Sequence, residues 1–145
     1  MARIVIKTKS IYAPVDKNDG FRVLITRFYP RGTKREKYDV WLRDLAPSRE
    51  LLKRHKNNEI VWEDFLTELL SEMQNNNSSV DAIRSLNTKG NTQDITLLCY
   101  EKDGLPCHRH LIKDLVAKPS MLGSDFILKK TDEYNTASVM IRATD

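Results

Sequence analysis

The sequence predicts an α/β fold: one domain, with a sheet that is at least partly parallel and flanked by helices. Three observations carry this expectation. Short runs rich in Val, Ile and Leu alternate along the chain with segments of helical periodicity, the order that builds layered α/β domains. Residues 95–100 are nearly continuous in apolar character and too few for a helix, the pattern of a central strand buried on both faces. A length of 145 residues, with 40% apolar and 30% charged side chains, suits one domain with a sizeable core.

Residues 2–6 and 21–28 read as strands, the first from Ile4, Val5 and Ile6 and the second from Val23, Leu24 and Ile25. Between them lie the turn formers Pro14, Asp16, Asn18, Asp19 and Gly20, so the two strands are expected to be neighbours in the sheet. Pro30-Arg31-Gly32 ends the second strand, because proline has no N–H for a ladder. Residues 33–47 have a mixed pattern in which Trp41, Leu42 and Leu45 pack. Ser48 is the expected N-cap of a short helix carrying Leu51 and Leu52. Trp62, Phe65, Leu66, Leu69, Leu70 and Met73 fall at helical spacing and make the clearest helix in the chain. Ser78, with Asp81 three positions later, opens another helix through Val80, Ile83 and Leu86, which Gly90 stops. After the strand at 95–100 comes a polar loop, then a helix marked by Leu111, Ile112, Leu115 and Val116 and closed by Pro119. Residues 125–130 and 137–142 read as a terminal β-hairpin around 131–136.

Composition narrows the function classes. No apolar run approaches the roughly 20 residues that span a bilayer, and the start of the chain has no secretory apolar core, so a cytoplasmic protein with no membrane partner is expected. Cys99 and Cys107 are then read as free thiols rather than a disulfide. The net charge of +4 is uneven: residues 1–60 carry 15 Lys and Arg against 7 Asp and Glu, while residues 61–145 carry 9 against 13. Arg22, Arg27, Arg31, Lys34, Arg35, Lys37 and Arg43 make the first part a field attractive to phosphates, or simply a solvated surface. The chain contains no Gly-x-Gly-x-x-Gly, P-loop, Gly-x-Ser-x-Gly or His-Glu-x-x-His, which removes support for dinucleotide dehydrogenases, P-loop NTPases, serine hydrolases of the elbow type and zincins.

The segment from Cys99 to Arg109 holds the candidate site. Ligands of open α/β sheets collect beyond the carboxyl ends of strands, where a following helix presents free N–H groups, and this segment joins a strand to a helix. Cys107 and His108 sit near the first turn of that helix, whose partial positive charge lowers a thiol pKa. Glu101, Cys107 and His108 are the candidate catalytic residues, as nucleophile or general acid and base. Arg27, Arg31, Cys99 and Arg109 are the candidate ligand-binding residues, the arginines as forked donors to phosphate or carboxylate. A second reading pairs the arginines with local acids such as Glu101 and Asp44, and makes Cys99 a small buried hydrophobe. Cys99, Cys107, His108 and His110 match no standard zinc spacing, so neither a metal nor another cofactor is expected. His55 reads as a surface residue near a helix end, and Trp41 and Trp62 as core residues.

Three blocks in this order carry a family resemblance: Arg27-Phe28-Tyr29-Pro30-Arg31-Gly32, Trp41-Leu42-Arg43-Asp44-Leu45-Ala46-Pro47-Ser48, and Leu97-Leu98-Cys99-Tyr100-Glu101-Lys102-Asp103 with Cys107-His108-Arg109. Together they resemble the domain of unknown function family 488, including its YeaO-like branch, from about Ile4 to Val116. The resemblance implies a compact cytosolic α/β domain, assigned to residues 1–118; residues 119–145 extend beyond the resemblance and are read as an extension packed on the same domain, an added hairpin used for dimer contacts or for covering the sheet edge. It also implies that Arg27, Arg31, Cys99, Glu101, Cys107, His108 and Arg109 match the family's polar positions. The chain departs from the family pattern at Thr26, or at Ile25 on another alignment, where members often carry an aspartate.

The leading expectation is a pocket for an anionic, phosphate-bearing ligand, a nucleotide or nucleic acid, with turnover left open and a homodimer as a further partner. The alternatives are a noncatalytic nucleic-acid-binding module and a structural or interaction module locked by an internal Arg–Glu network.

Overall fold

The structure is a computed structural model that describes residues 5–100, 107–123, 126–128 and 140–142. Four strands, β1 (Ile6–Ser10), β2 (Phe21–Leu24), β3 (Val40–Trp41) and β4 (Ile95–Cys99), form one sheet in the order β1-β4-β2-β3. Every pairing in it is parallel. The register sets Ser10 beside Cys99, and Leu24 beside both Leu98 and Trp41.

The expected adjacency of the first two strands is corrected: β4 lies between β1 and β2. The reason is burial. All five residues of β4 are buried, which requires neighbours on both sides, whereas β1 places Lys7 and Lys9 in half-buried positions that suit an edge. Their ammonium groups reach out to Asp94 and Asp19, each at 3.1 Å. β1 runs over residues 6–10 instead of 2–6, and β2 stops at Leu24, although Ile25 still donates its N–H to the Leu98 carbonyl at 3.0 Å. Thr26 then turns the chain, its hydroxyl donating to the Phe28 carbonyl at 2.7 Å.

Four α-helices cover the sheet: α1 (Arg49–Lys56), α2 (Trp62–Asn75), α3 (Asn77–Lys89) and α4 (Arg109–Ala117). Ser48 caps α1 as expected, accepting from the Leu51 N–H, while α3 is capped by Asn76 rather than Ser78, its side chain accepting from Ser78 and Ser79. The apolar stripes of all four helices pack with Ile6, Val23, Ile25, Ile95 and Leu97 in one core. Leu24 and Leu98, one position out of phase, face the other way and pack with Ile11, Tyr38 and Trp41. Among the described residues the helices therefore lie on one face of the sheet, giving two layers, and the opposite face is covered by side chains of strand-flanking and loop residues.

Beneath that second face runs a charged network. Asp19 accepts from both Lys9 and Arg22, Arg22 Nε donates to the Lys37 carbonyl at 2.7 Å, and the Thr96 hydroxyl donates to the Asp19 carbonyl at 2.7 Å. Arg22, counted in the expected basic field, is thereby buried and paired. At the far end of the chain β5 (Phe126–Leu128) pairs antiparallel with β6 (Met140–Arg142). The turn of the expected hairpin, 131–136, lies outside the described residues.

Candidate functional site

Strand parity decides which way Cys99 points. Ile95, Leu97 and Cys99 share one face of β4, and the first two belong to the core beneath the helices, so Cys99 closes the helix-facing row at the carboxyl end of the sheet. Cys107 and His108 lead directly into α4, with His108 in the position before the first helical residue. The three side chains meet there, at 1%, 3% and 8% exposure.

His108 Nδ1 lies 3.6 Å from Cys99 Sγ and 3.6 Å from Cys107 Sγ. Its other nitrogen, Nε2, is 2.6 Å from the Ile25 carbonyl at the end of β2. A carbonyl only accepts, so Nε2 must carry the hydrogen. In the neutral ring this leaves Nδ1 with its lone pair facing both sulfurs. Three soft donor atoms, from the end of β4 and the start of α4, thus lie within 4.8 Å of one another.

Burial pushes the Cys107 thiol well above its ordinary pKa, and the hydrogen bond with Cys99 pushes in the same direction. The adjacent His108 works against both and does not overcome them. The lowering expected from the first turn of α4 is outweighed in the same way, because a thiolate this deep loses its hydration.

The remaining candidates take separate positions. Arg109 is the first residue of α4 and is fully buried. Arg27 is half-buried and donates from Nε to the Pro47 carbonyl at 3.0 Å and from Nη2 to the Ala46 carbonyl at 3.2 Å. It lines a cavity with Asp44, Ser48, Glu72, Asn76 and Ser79, whose lining includes neither Arg31 nor Arg109. Arg31 is exposed on a turn where its carbonyl accepts from the Tyr12 hydroxyl at 3.1 Å. Glu101 lies outside the described residues. His55 is exposed at the end of α1 as expected, with its ring against Trp62 and Phe65. The Ile25 carbonyl, which orients His108, has no signature in sequence, since every residue offers the same backbone group whatever its side chain.

The family named DUF488-N3a, described as "Active DUF488-N3 subclade", matches residues 6–120, a span that contains all three resembling blocks and the Cys–Cys–His cluster. The chain belongs to the DUF488 family. The DUF488 domain is 28% identical over 111 residues to "Uncharacterized protein YeaO" of Escherichia coli (strain K12), covering 75% of this chain and 94% of that one. It is 27% identical over 70 residues to "Uncharacterized protein Rv3073c" of Mycobacterium tuberculosis (strain ATCC 25618 / H37Rv), covering 47% of this chain and 59% of that one. The same figures hold for "Uncharacterized protein Mb3100c" of Mycobacterium bovis (strain ATCC BAA-935 / AF2122/97), so the chain spans less than two thirds of these mycobacterial relatives. No solved structure matches the chain. Among the described residues of the DUF488 domain, no helix is long and apolar enough to cross a membrane.

Proposed function

We propose that this DUF488 domain binds an anionic, phosphate-bearing ligand, a nucleotide or a nucleic-acid segment, at the carboxyl edge of its sheet, with chemistry delivered by Cys107 and His108. One observation carries the reading: the ends of β2 and β4 and the start of α4 converge on a buried cysteine–histidine cluster, at the edge where parallel α/β sheets take their ligands. The α4 N-terminus favours negative charge there. The excess of basic residues over 1–60, of which Arg31 is exposed, favours the approach of an anion.

In this reading His108 Nδ1 accepts the proton of a thiol that burial otherwise keeps neutral, and Glu101, two residues beyond Cys99 in sequence, is a second proton acceptor. Arg27 and Arg31 serve the ligand's approach. Arg109, buried at the first position of α4 directly after His108, is the third arginine of the ligand-binding set.

The test is thermal unfolding of the purified chain with inorganic phosphate, nucleotides and short oligonucleotides at about 50 and 200 mM salt. A rise in Tm for one ligand class, diminished at higher salt and in Arg31→Ala, is the expected result. No rise for any of them at the lower salt overturns the reading.

A further inference from the structure

We propose that Cys99 Sγ, Cys107 Sγ and His108 Nδ1 are three ligands of a thiophilic divalent cation, zinc in preference. This goes beyond the anionic-ligand reading and revises one part of it: in the loaded cluster His108 Nδ1 gives its lone pair to the ion instead of taking a thiol proton. Sequence spacing pointed away from a metal, and the geometry points toward one.

The first argument is distance. Zinc bonds of about 2.3 Å to sulfur and about 2.0–2.1 Å to nitrogen, at tetrahedral angles, place a sulfur and a nitrogen ligand about 3.6 Å apart. Both Sγ–Nδ1 separations here are 3.6 Å. A cation just off the plane of these three atoms, all within 4.8 Å of one another, reaches them with little rearrangement.

The second argument is the orientation of the ring. A histidine that binds a metal through one nitrogen characteristically donates its other N–H to a carbonyl or carboxylate, which fixes the tautomer and turns the lone pair to the ion. His108 does this through the Ile25 carbonyl, at 2.6 Å. The bond also ties the ligand to β2, so all three donors are held by regular elements or their immediate ends.

The third argument is charge. Two thiolates and a neutral imidazole balance a divalent cation, so the loaded cluster is neutral where bare thiolates would be costly to bury. Loading breaks two S–H bonds and releases two protons to solvent, one from each cysteine. Nδ1 contributes its lone pair and no proton. A cation of this kind that keeps an open position polarises a phosphoryl or carbonyl oxygen or acidifies a bound water. The interval of eight positions between Cys99 and Cys107, with the histidine directly after, matches no familiar zinc spacing because strand end and helix start supply the proximity.

The experiment is a cobalt titration of the full, reduced, chelator-treated chain, followed by displacement with zinc. Expected are thiolate-to-cobalt charge-transfer absorption in the near ultraviolet, the strong visible bands of a tetrahedral centre, saturation at one ion per chain, and release of two protons per zinc. Cys99→Ser and Cys107→Ser are expected to lose the charge-transfer band in part, and His108→Gln to weaken cobalt binding by at least about 10-fold. His55→Gln, a surface change, leaves the titration unaltered. Each variant is checked for folding by circular dichroism, and if one fails to fold the wild-type spectrum and proton count still decide. A folded, reduced wild-type chain that gives no charge-transfer band, or one that survives unchanged in His108→Gln, overturns the proposal.

Discussion

His108 and Ile25, 83 positions apart in the chain, are joined by a 2.6 Å hydrogen bond from the imidazole Nε2 to the backbone carbonyl. The bond spans from the start of α4 to the end of β2. Removing the ring strands a carbonyl at a residue with no exposure. His108→Ala is expected to lower unfolding stability by about 1–3 kcal/mol, the cost of an unsatisfied buried polar group. Urea denaturation measures it, and an unchanged midpoint would show that the bond holds nothing together.

Asp19 predicts an acid limb. Burial acts to raise its carboxyl, but hydrogen bonds from the Asp16 N–H and the Lys9 ammonium, with the charges of Lys9 and Arg22, outweigh it and hold the group below its ordinary value. A carboxyl depressed in the folded state adds stability above its unfolded pKa of about 3.9, and that stability is lost as pH falls through the folded value. Asp19→Asn should destabilise the chain by about 3–5 kcal/mol at pH 7, since it leaves the buried Arg22 guanidinium without the carboxylate that faces it. The same variant should show a flatter loss of stability below about pH 4 than the wild type. Parallel slopes would mean that other acids carry the limb.

Cys107 predicts an alkaline limb of opposite sign. Its thiol is raised by burial, so folding favours the protonated form; the contribution is fully present below the unfolded pKa of about 8.5 and is lost as pH rises toward the folded value. Chelated wild-type protein should therefore lose stability above about pH 8.5 more steeply than Cys107→Ala. Native Cys107 should also react with iodoacetamide far more slowly than in urea. A fast native reaction at pH 7 would contradict the burial argument.

Gly20 predicts a backbone cost. Its φ is +67°, and a Cβ built there lies 2.2 Å from the Asp94 carbonyl oxygen, the acceptor of the Phe21 N–H at 2.8 Å. Gly20→Ala meets backbone rather than a movable side chain, at the entry to both β2 and β4. A loss above about 1 kcal/mol is expected in thermal or urea unfolding, and a Tm equal to wild type would show that the two segments separate freely.

The fold was most legible where one pattern dominated. The apolar run of β4 pointed to a buried parallel strand, and the stripe from Trp62 to Met73 to α2. β3 was hidden because two residues, Val40 and Trp41, make no periodicity, and β1 ran past its apolar start into Lys7 and Lys9, whose long stems let an edge strand carry charge. In the site, Cys99, Cys107 and His108 were recognisable because one strand-loop-helix unit holds them all. The arginines were not separable by type, since a guanidinium donates to a carbonyl, as Arg27 does, with the same fork it would offer a phosphate.

The strand order β1-β4-β2-β3 has a consequence for biosynthesis. Among the described residues, β1 has no strand partner until residues 95–99 leave the ribosome, and until then β2 has only its short pairing with β3. The sheet is completed by threading a late segment between two early ones, closing long loops in the same event. Meanwhile the apolar stripes of α1, α2 and α3 have been translated and have no finished sheet to cover them. Nascent chains halted before residue 95 should be the ones that chaperones hold and proteases cut.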